Sequence, residues 1–360
     1  MKRFHYLDSM RGLAALSVML SHFCGNYTIP IAPELFSNTL LHFWWDGFAA
    51  VSFFFVLSGF VLSYGSMLSK KPKVDSVKGF GAYLVARICR LHIAFLVLMI
   101  VSLCCLSLKA TQVVTDPLAG GWMNAYWAKF PSLTDFLTNI SLLSYHDNML
   151  APQAWTLSIE FLLSLFVPFG IILAQANIWL FCGAMLLGLL RLEFQHFLLQ
   201  FSLGIALAAF VCHHESSSVF RKRAFVAAYG IVGLLLYSCR FWRPNLLPEN
   251  IIWILSGIGS TLLILTALWS SRLQRTLSVA PLLFLGKISY SLYLYHFLIL
   301  MIATPRIFLF LNRIGVVGGL AWILGLALSV IVLSIVSYFS ERFVEQPGIL
   351  LGRKISKWIK

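Results

Sequence analysis

Ten apolar segments, most of them near the length of a bilayer crossing, dominate this chain. They run roughly over 7–24, 45–67, 83–108, 153–174, 177–190, 196–212, 224–239, 251–270, 286–304 and 316–340. A helix needs about 20 apolar residues to cross the hydrocarbon core. Ten crossings and short loops therefore use up the 360 residues. Several segments are apolar on every side, the pattern of a helix among lipid or other helices. A helix satisfies its own backbone polar groups, as lipid demands. The expected fold is all-α: a polytopic membrane bundle of about ten transmembrane helices with both termini cytoplasmic.

Composition points the same way. The chain is 59% apolar and only 11% charged, against about 45–50% and about 25% in soluble domains. That excludes a soluble single-core enzyme, a disordered chain and a disulfide scaffold. The first segment carries Asp8 and Arg11 and lacks a small-x-small cleavage site, so it reads as a span rather than a signal peptide. The seven cysteines form no C-x-x-C pair and read as free thiols in apolar runs. No metal-ligand spacing stands out. His213-His214-Glu215 is contiguous, so its side chains point apart on a helix, unlike an i,i+4 pair.

The net charge of +14 fits either nucleic acid or the positive-inside rule. Position decides. With the N-terminus inside, nineteen of the 27 Lys and Arg fall on cytoplasmic segments and seven on outside loops, Arg11 lying within the first span. The partner read from the charge is the lipid bilayer, with no nucleic acid, and the place is the cytoplasmic (inner) membrane, multi-pass. The longest outside loop, about 109–152, carries Trp122, Tyr126, Trp127, Phe130 and Phe136.

Ionisable residues inside spans are functional candidates by default. Arg11 and His22 are eleven residues apart, three helical turns plus about 20°, so they share a face with a rise of about 16 Å. Asp8 joins them at i,i+3. An Arg–Asp anchor with a core histidine is the plainer alternative. Ser58-Gly59 is by itself a small-residue packing notch. Glu160, about two turns into the fourth span, needs a partner, and a His or Arg from another span is the obvious one. Arg87 and Arg90 share a face at the inner mouth of the third span, suited to gripping phosphates, or else simply to fixing topology. Ser289, Tyr293 and His296 share a face of the ninth span, as a substrate lining or an inter-helix network. His42 and Asp46 form an H-x-x-x-D-G string of a kind seen in soluble acyltransferases, but without a soluble fold around it.

In order along the chain, these motifs resemble the acyltransferase-3 family of integral membrane O-acyltransferases. The resemblance runs from Leu7-Asp8-Ser9-Met10-Arg11-Gly12 through His22, to Phe54–Phe60 with Ser58-Gly59, to Arg87-x-x-Arg90. It continues with Trp155-Thr156-Leu157-Ser158-Ile159-Glu160, then Gly286–His296, and ends on Glu345-Gln346-Pro347. His92 and Ser52 depart from the family pattern, which often has Pro and an acid there. The resemblance implies a single acyltransferase-3-like transmembrane domain over 1–345 and a short basic cytoplasmic tail over 346–360, without the hydrolase-like domain that some relatives carry.

It also implies an acyl-CoA-dependent O-acyltransferase. An acyl group, most simply acetyl from acetyl-CoA, would pass from the cytoplasm to a hydroxyl of an extracytoplasmic carbohydrate, such as an envelope polysaccharide or its lipid-linked precursor. Acyl-CoA is a co-substrate; no tightly bound cofactor and no metal are expected. The catalytic residues would be His22 as base, Arg11, and Glu160 orienting the imidazole. Arg87 and Arg90 would bind the donor. Ser58, Tyr290, Tyr293 and His296 are candidates for the oxyanion site or the substrate lining. The alternative class is a proton-coupled transporter or flippase without acyl-transfer chemistry, against which the lack of an internal repeat counts.

Overall fold

A computed structural model of the chain describes residues 4–27, 40–69, 74, 76–108, 126–127, 130–143, 150–189, 195–214, 220–242 and 247–359. A helix stands on each of the ten apolar segments, and the described residues contain no strand. The helices are α1 (His5–Asn26), α2 (Gly47–Ser69), α3 (Val77–Ser107), α4 (Leu133–Ser141), α5 (Ala154–Ala176), α6 (Ile178–Leu189) and α7 (Gln195–His213). They continue as α8 (Arg223–Tyr237), α9 (Glu249–Trp269), α10 (Ser271–Leu277), α11 (Ala280–Arg313), α12 (Gly318–Ser340) and α13 (Gln346–Ile359).

Seven of the described helices are long and apolar enough to cross a membrane: α2, α3, α5, α7, α9, α11, and α12 running on into α13. The other three segments fall short for separate reasons. α1 carries Asp8, Arg11 and His22. α6 has 12 residues and α8 has 15, at 1.5 Å per residue less than a hydrocarbon core of about 30 Å.

Two helices outrun their apolar segments. α3 has 31 residues rather than starting at 83, and α11 has 34 rather than spanning 286–304. The added turns take in Lys78 on α3 and Pro305, Arg306 and Arg313 on α11, where the apolar run stops but the helix does not.

α1 and α11 run parallel along the centre of the fold. Their closest approach is glycine on backbone: a Cβ on Gly12 would lie 2.6 Å from the Gly286 nitrogen, and one on Gly286 would lie 2.6 Å from the Asp8 oxygen. α2 crosses α7 at Gly59 and Gly204, where each Cβ position is filled by the other helix's backbone. α8 and α9 pair beside them through Gly233 and Gly259.

α12 passes into α13 through a π-turn at Glu341–Glu345. Both glutamates are buried and both face α11, one turn apart. Lys287 Nζ lies 3.4 Å from Glu341, and the Ser291 hydroxyl donates to Glu345 at 3.1 Å. α13, the segment read as a tail, lies along α3: Gly348 and Gly352 seat against Cys89, and the Ser356 hydroxyl donates to the Ala82 carbonyl. α3 packs chiefly on α13 and only lightly on α5 and α11. The gap on its other side is a cavity.

Candidate functional site

The cavity lies where α1, α2, α3, α5 and α11 meet. Its empty space is about 740 Å³ including the open mouth. Its polar walls are Arg11, Ser58, Arg87, Arg90, Thr156, Glu160, Ser289, Tyr290 and Tyr293. Seven of the nine residues singled out from the sequence line it. The remaining two, His22 and His296, pair with one another beyond Tyr293.

Three of the four charged wall residues are held by their neighbours. The Arg11 Nε donates to Ser289 Oγ at 2.9 Å and its Nη2 to Asp8 Oδ1 at 3.1 Å. The face shared by Asp8, Arg11 and His22 is thus the face α1 turns to α11. Arg87 Nη2 forms a part-buried ion pair with Glu160 Oε1 at 3.1 Å, and Ser58 Oγ donates to the same oxygen at 3.2 Å. Arg90 makes no hydrogen bond or ion pair to any other described residue. It sits within electrostatic reach of Arg11, Arg87, Glu160 and Glu345. Three guanidinium groups gathered in a poorly solvated space repel one another. Asp8, Glu160 and Glu345 offset that repulsion, and the cluster balances in formal charge.

The partners differ in part from those the sequence suggested. The carboxylate expected beside His22 is elsewhere: Glu160 bonds Arg87 and Ser58, while the His22 Nδ1 lies 3.2 Å from the His296 Nε2. The reason is depth. α3 and α5 bring Glu160 to the level of Arg87, while His22 stands eleven residues further along α1 than Arg11, about 16 Å. For the same reason Arg87 is engaged with Glu160 inside the bundle rather than open at its inner edge. Arg90, one turn on, lines the cavity with its fork unused by any acceptor among the described residues.

The hydroxyl groups considered for an oxyanion site all have protein acceptors in this arrangement. Tyr290 donates to the Leu91 carbonyl at 2.8 Å, fastening α11 to α3. Tyr293 donates to the Gln153 carbonyl at 3.2 Å and meets Thr156 Oγ1. Ser58 donates to Glu160. Any of them serving an oxyanion would first exchange that partner.

At the histidine end His22 is half-buried and His296 lies deeper. His296 is fully buried, and its Nδ1 lies 2.6 Å from the Tyr293 carbonyl. Tyr293 therefore belongs to both regions, its ring lining the cavity and its carbonyl holding the histidine. Beyond the pair, Phe23, Tyr27, Phe308 and Trp322 pack as an aromatic plug. It is closed by Tyr27 donating to the Leu300 carbonyl at 2.8 Å.

Other sequence features have structural work. Ser58 and Gly59 divide between the cavity and the α2–α7 crossing. Asp46 caps α2 by accepting the Ala49 N–H at 2.9 Å, and the His42 ring packs on Phe241 and Trp45. Ser52 accepts from the buried Gln200 amide at 3.0 Å, and His92 Nε2 lies 2.9 Å from the Ser141 carbonyl. Glu215 lies outside the described residues, as do residues 70–73 and most of the aromatic loop. Among the described residues no group of three His, Cys, Asp or Glu converges as a metal site. Ser289, read from its helix face as a substrate lining or an inter-helix contact, lines the cavity and accepts from Arg11; sequence reasoning gave no role to Thr156 or Glu345. For Glu345 the signal was there, an acid beside a long apolar run within the closing Glu-x-Pro motif.

A family sequence model described as an acyltransferase domain, of the acyltransferase-3 type, matches residues 4–339. No curated protein and no solved structure matches the chain.

Proposed function

The chain belongs to the acyltransferase-3 family and is a membrane acyltransferase; from that premise we propose that it moves an acetyl group from acetyl-CoA to a hydroxyl of an extracytoplasmic carbohydrate. The carbohydrate is an envelope polysaccharide or its lipid-linked precursor, and the membrane is the cytoplasmic one. The observation that carries the reading is Arg90. Its guanidinium faces a cavity beside two other arginines and makes no hydrogen bond to another described residue. Such a fork suits a phosphate, which it grips bidentately. Arg87 and Arg11 are tied to Glu160 and Asp8, which leaves Arg90 as the fork offered to the phosphate. The thin arm of the donor then runs along the α1–α11 seam from the arginines towards His22.

At that end the chemistry needs a base. As the acceptor oxygen attacks the thioester carbon, His22 takes the hydroxyl proton. The tetrahedral intermediate collapses with loss of the thiolate, which takes the proton back from the imidazolium. The chain has no G-x-S-x-G elbow, and direct transfer needs none. The acceptor enters from the side of the aromatic loop, so only the acyl group crosses the membrane.

The test is transfer of radiolabelled acetyl from acetyl-CoA in membranes containing the full chain. It is paired with mass spectrometry of envelope carbohydrate from cells with and without the protein. The expected result is label in carbohydrate and an acetyl increment lost on deletion. Label-free membranes with an unchanged carbohydrate would overturn the reading.

A further inference from the structure

The pairing of His22 with His296 contains more than a contact, because one of its hydrogen bonds has a fixed direction. The Tyr293 carbonyl can only accept, so at 2.6 Å the His296 Nδ1 carries the proton. A neutral His296 then presents a bare Nε2. That nitrogen lies 3.2 Å from the His22 Nδ1, which must donate to it. The proton of a neutral His22 is thereby placed on Nδ1 and its lone pair on Nε2.

We propose that His296 is the positioning residue of the transfer reaction: by accepting from the His22 Nδ1–H it fixes the His22 tautomer and aims Nε2 as the base. The proposal rests on the reading of His22 as the base and adds how that base is held. His296 takes the place that a carboxylate fills in hydrolase triads, and Glu160, bonded to Arg87 and Ser58, is free of that duty. The arrangement works through the whole cycle. When the His22 Nε2 takes the acceptor's proton, the Nδ1–H becomes part of an imidazolium. Its bond to the His296 Nε2 then becomes charge-assisted and stronger. Returning the proton to the leaving thiolate restores the starting pair, so no proton is gained or lost. The Tyr293 carbonyl, three residues back on the same helix, keeps His296 from turning over. Because the ring of Tyr293 also lines the donor cavity, the anchor of the histidine pair is part of the cavity wall.

Nitrogen-15 spectroscopy of histidine-labelled, bilayer-reconstituted full-length protein reads the tautomers directly, His22 being assigned by the signals lost in His22→Gln. The expected spectrum has His22 protonated at Nδ1 and bare at Nε2, and the same for His296. His22 protonated at Nε2 with a bare Nδ1 overturns the proposal. This measurement needs no substrate, so it separates the proposal from the assigned reaction. A correct spectrum with no acyl transfer by the wild type would remove the reaction and leave the tautomer assignment standing.

Kinetics supplies the second arm. His296→Phe keeps the ring's bulk and removes the acceptor. Its kcat should fall about 10²-fold, at the low end of what a general base contributes, with the donor KM unchanged. His296→Gln restores an acceptor oxygen near the lost Nε2 and should recover to within about tenfold of wild type. Equal losses in the two variants, or full kcat in His296→Phe, would overturn the positioning role. If His296→Phe fails to insert, His296→Gln and the spectrum still decide.

Discussion

The two ends of the α1–α11 seam are built from the same pair of parallel helices and differ in almost every other respect. At one end Arg11 meets Ser289, with Arg87, Arg90, Asp8, Glu160 and Glu345 around them, and the space is open. At the other, His22 meets His296, and the neighbours are aromatic rings and a backbone carbonyl. The charged end holds several ions in mutual balance with one arginine fork left over. The histidine end holds two titratable rings in a fixed directional chain. On the proposed reading the difference is a division of labour: one end captures a phosphorylated donor and the other moves a proton. Substitutions should separate the two.

The largest effect is expected at the histidine end. His22→Ala should insert normally and lose about 10²–10⁴-fold in acyl transfer, with donor affinity intact by calorimetry. Loss of donor binding in this variant would merge the two ends into one site. Arg90→Ala should do the reverse. A charge-assisted hydrogen bond contributes about 1.5–3 kcal/mol, so donor affinity should drop roughly 10- to 150-fold while kcat at saturating donor holds. Arg90→Lys should recover part of it, since it keeps the charge and loses the fork. Unchanged affinity in Arg90→Ala would leave the cavity-lining fork of the wild type without a ligand and remove the main support for donor capture there.

A smaller effect is expected from crowding the seam beside Arg11. Gly12→Ala puts a methyl into the backbone of Leu285 and Gly286. Overpacking of this kind costs about 1–3 kcal/mol, readable as a lower unfolding temperature in detergent. His22 is ten residues away, about 15 Å, so donor affinity should suffer more than kcat. Equal damage to both would show that the seam moves as one body.

The Arg87–Glu160 pair sharpens the comparison in another way. Glu160→Leu alone leaves Arg87 uncompensated and should destabilise the protein. Adding Arg87→Met should restore much of the loss, because an apolar pair often replaces a buried ion pair at little cost. A coupling energy of about 0.5–3 kcal/mol in this double-mutant cycle is expected. Near-zero coupling would mean that the pair does not hold the cavity wall. The least effect belongs to Ser58→Ala, which removes one of the two hydrogen bonds shown at Glu160 and should cost about 1 kcal/mol without touching the histidine end.

The sequence by itself determined that the chain is helical and built for lipid, because runs of apolar residues permit little else. It also determined which face of α1 looks inward, since eleven residues close three turns, and the nine side chains it picked out all gather at the two ends of the seam. Helix lengths were less legible: α3 starts at Val77 and α11 runs from Ala280 to Arg313, continuing past Lys78 and past Pro305 and Arg306, where an apolar run stops. Pairing was not legible at all. Spacing along one helix says nothing of the height at which a neighbour passes. Glu160 was as good a partner for His22 as for Arg87 until α3 and α5 were set side by side. Nor does a sequence reveal that Tyr293 offers a carbonyl to His296, or that a π-turn aims Glu345 towards the arginines. Those choices depend on where separate helices cross, and the crossings are set by glycine contacts and by the balance of buried charge across the whole bundle.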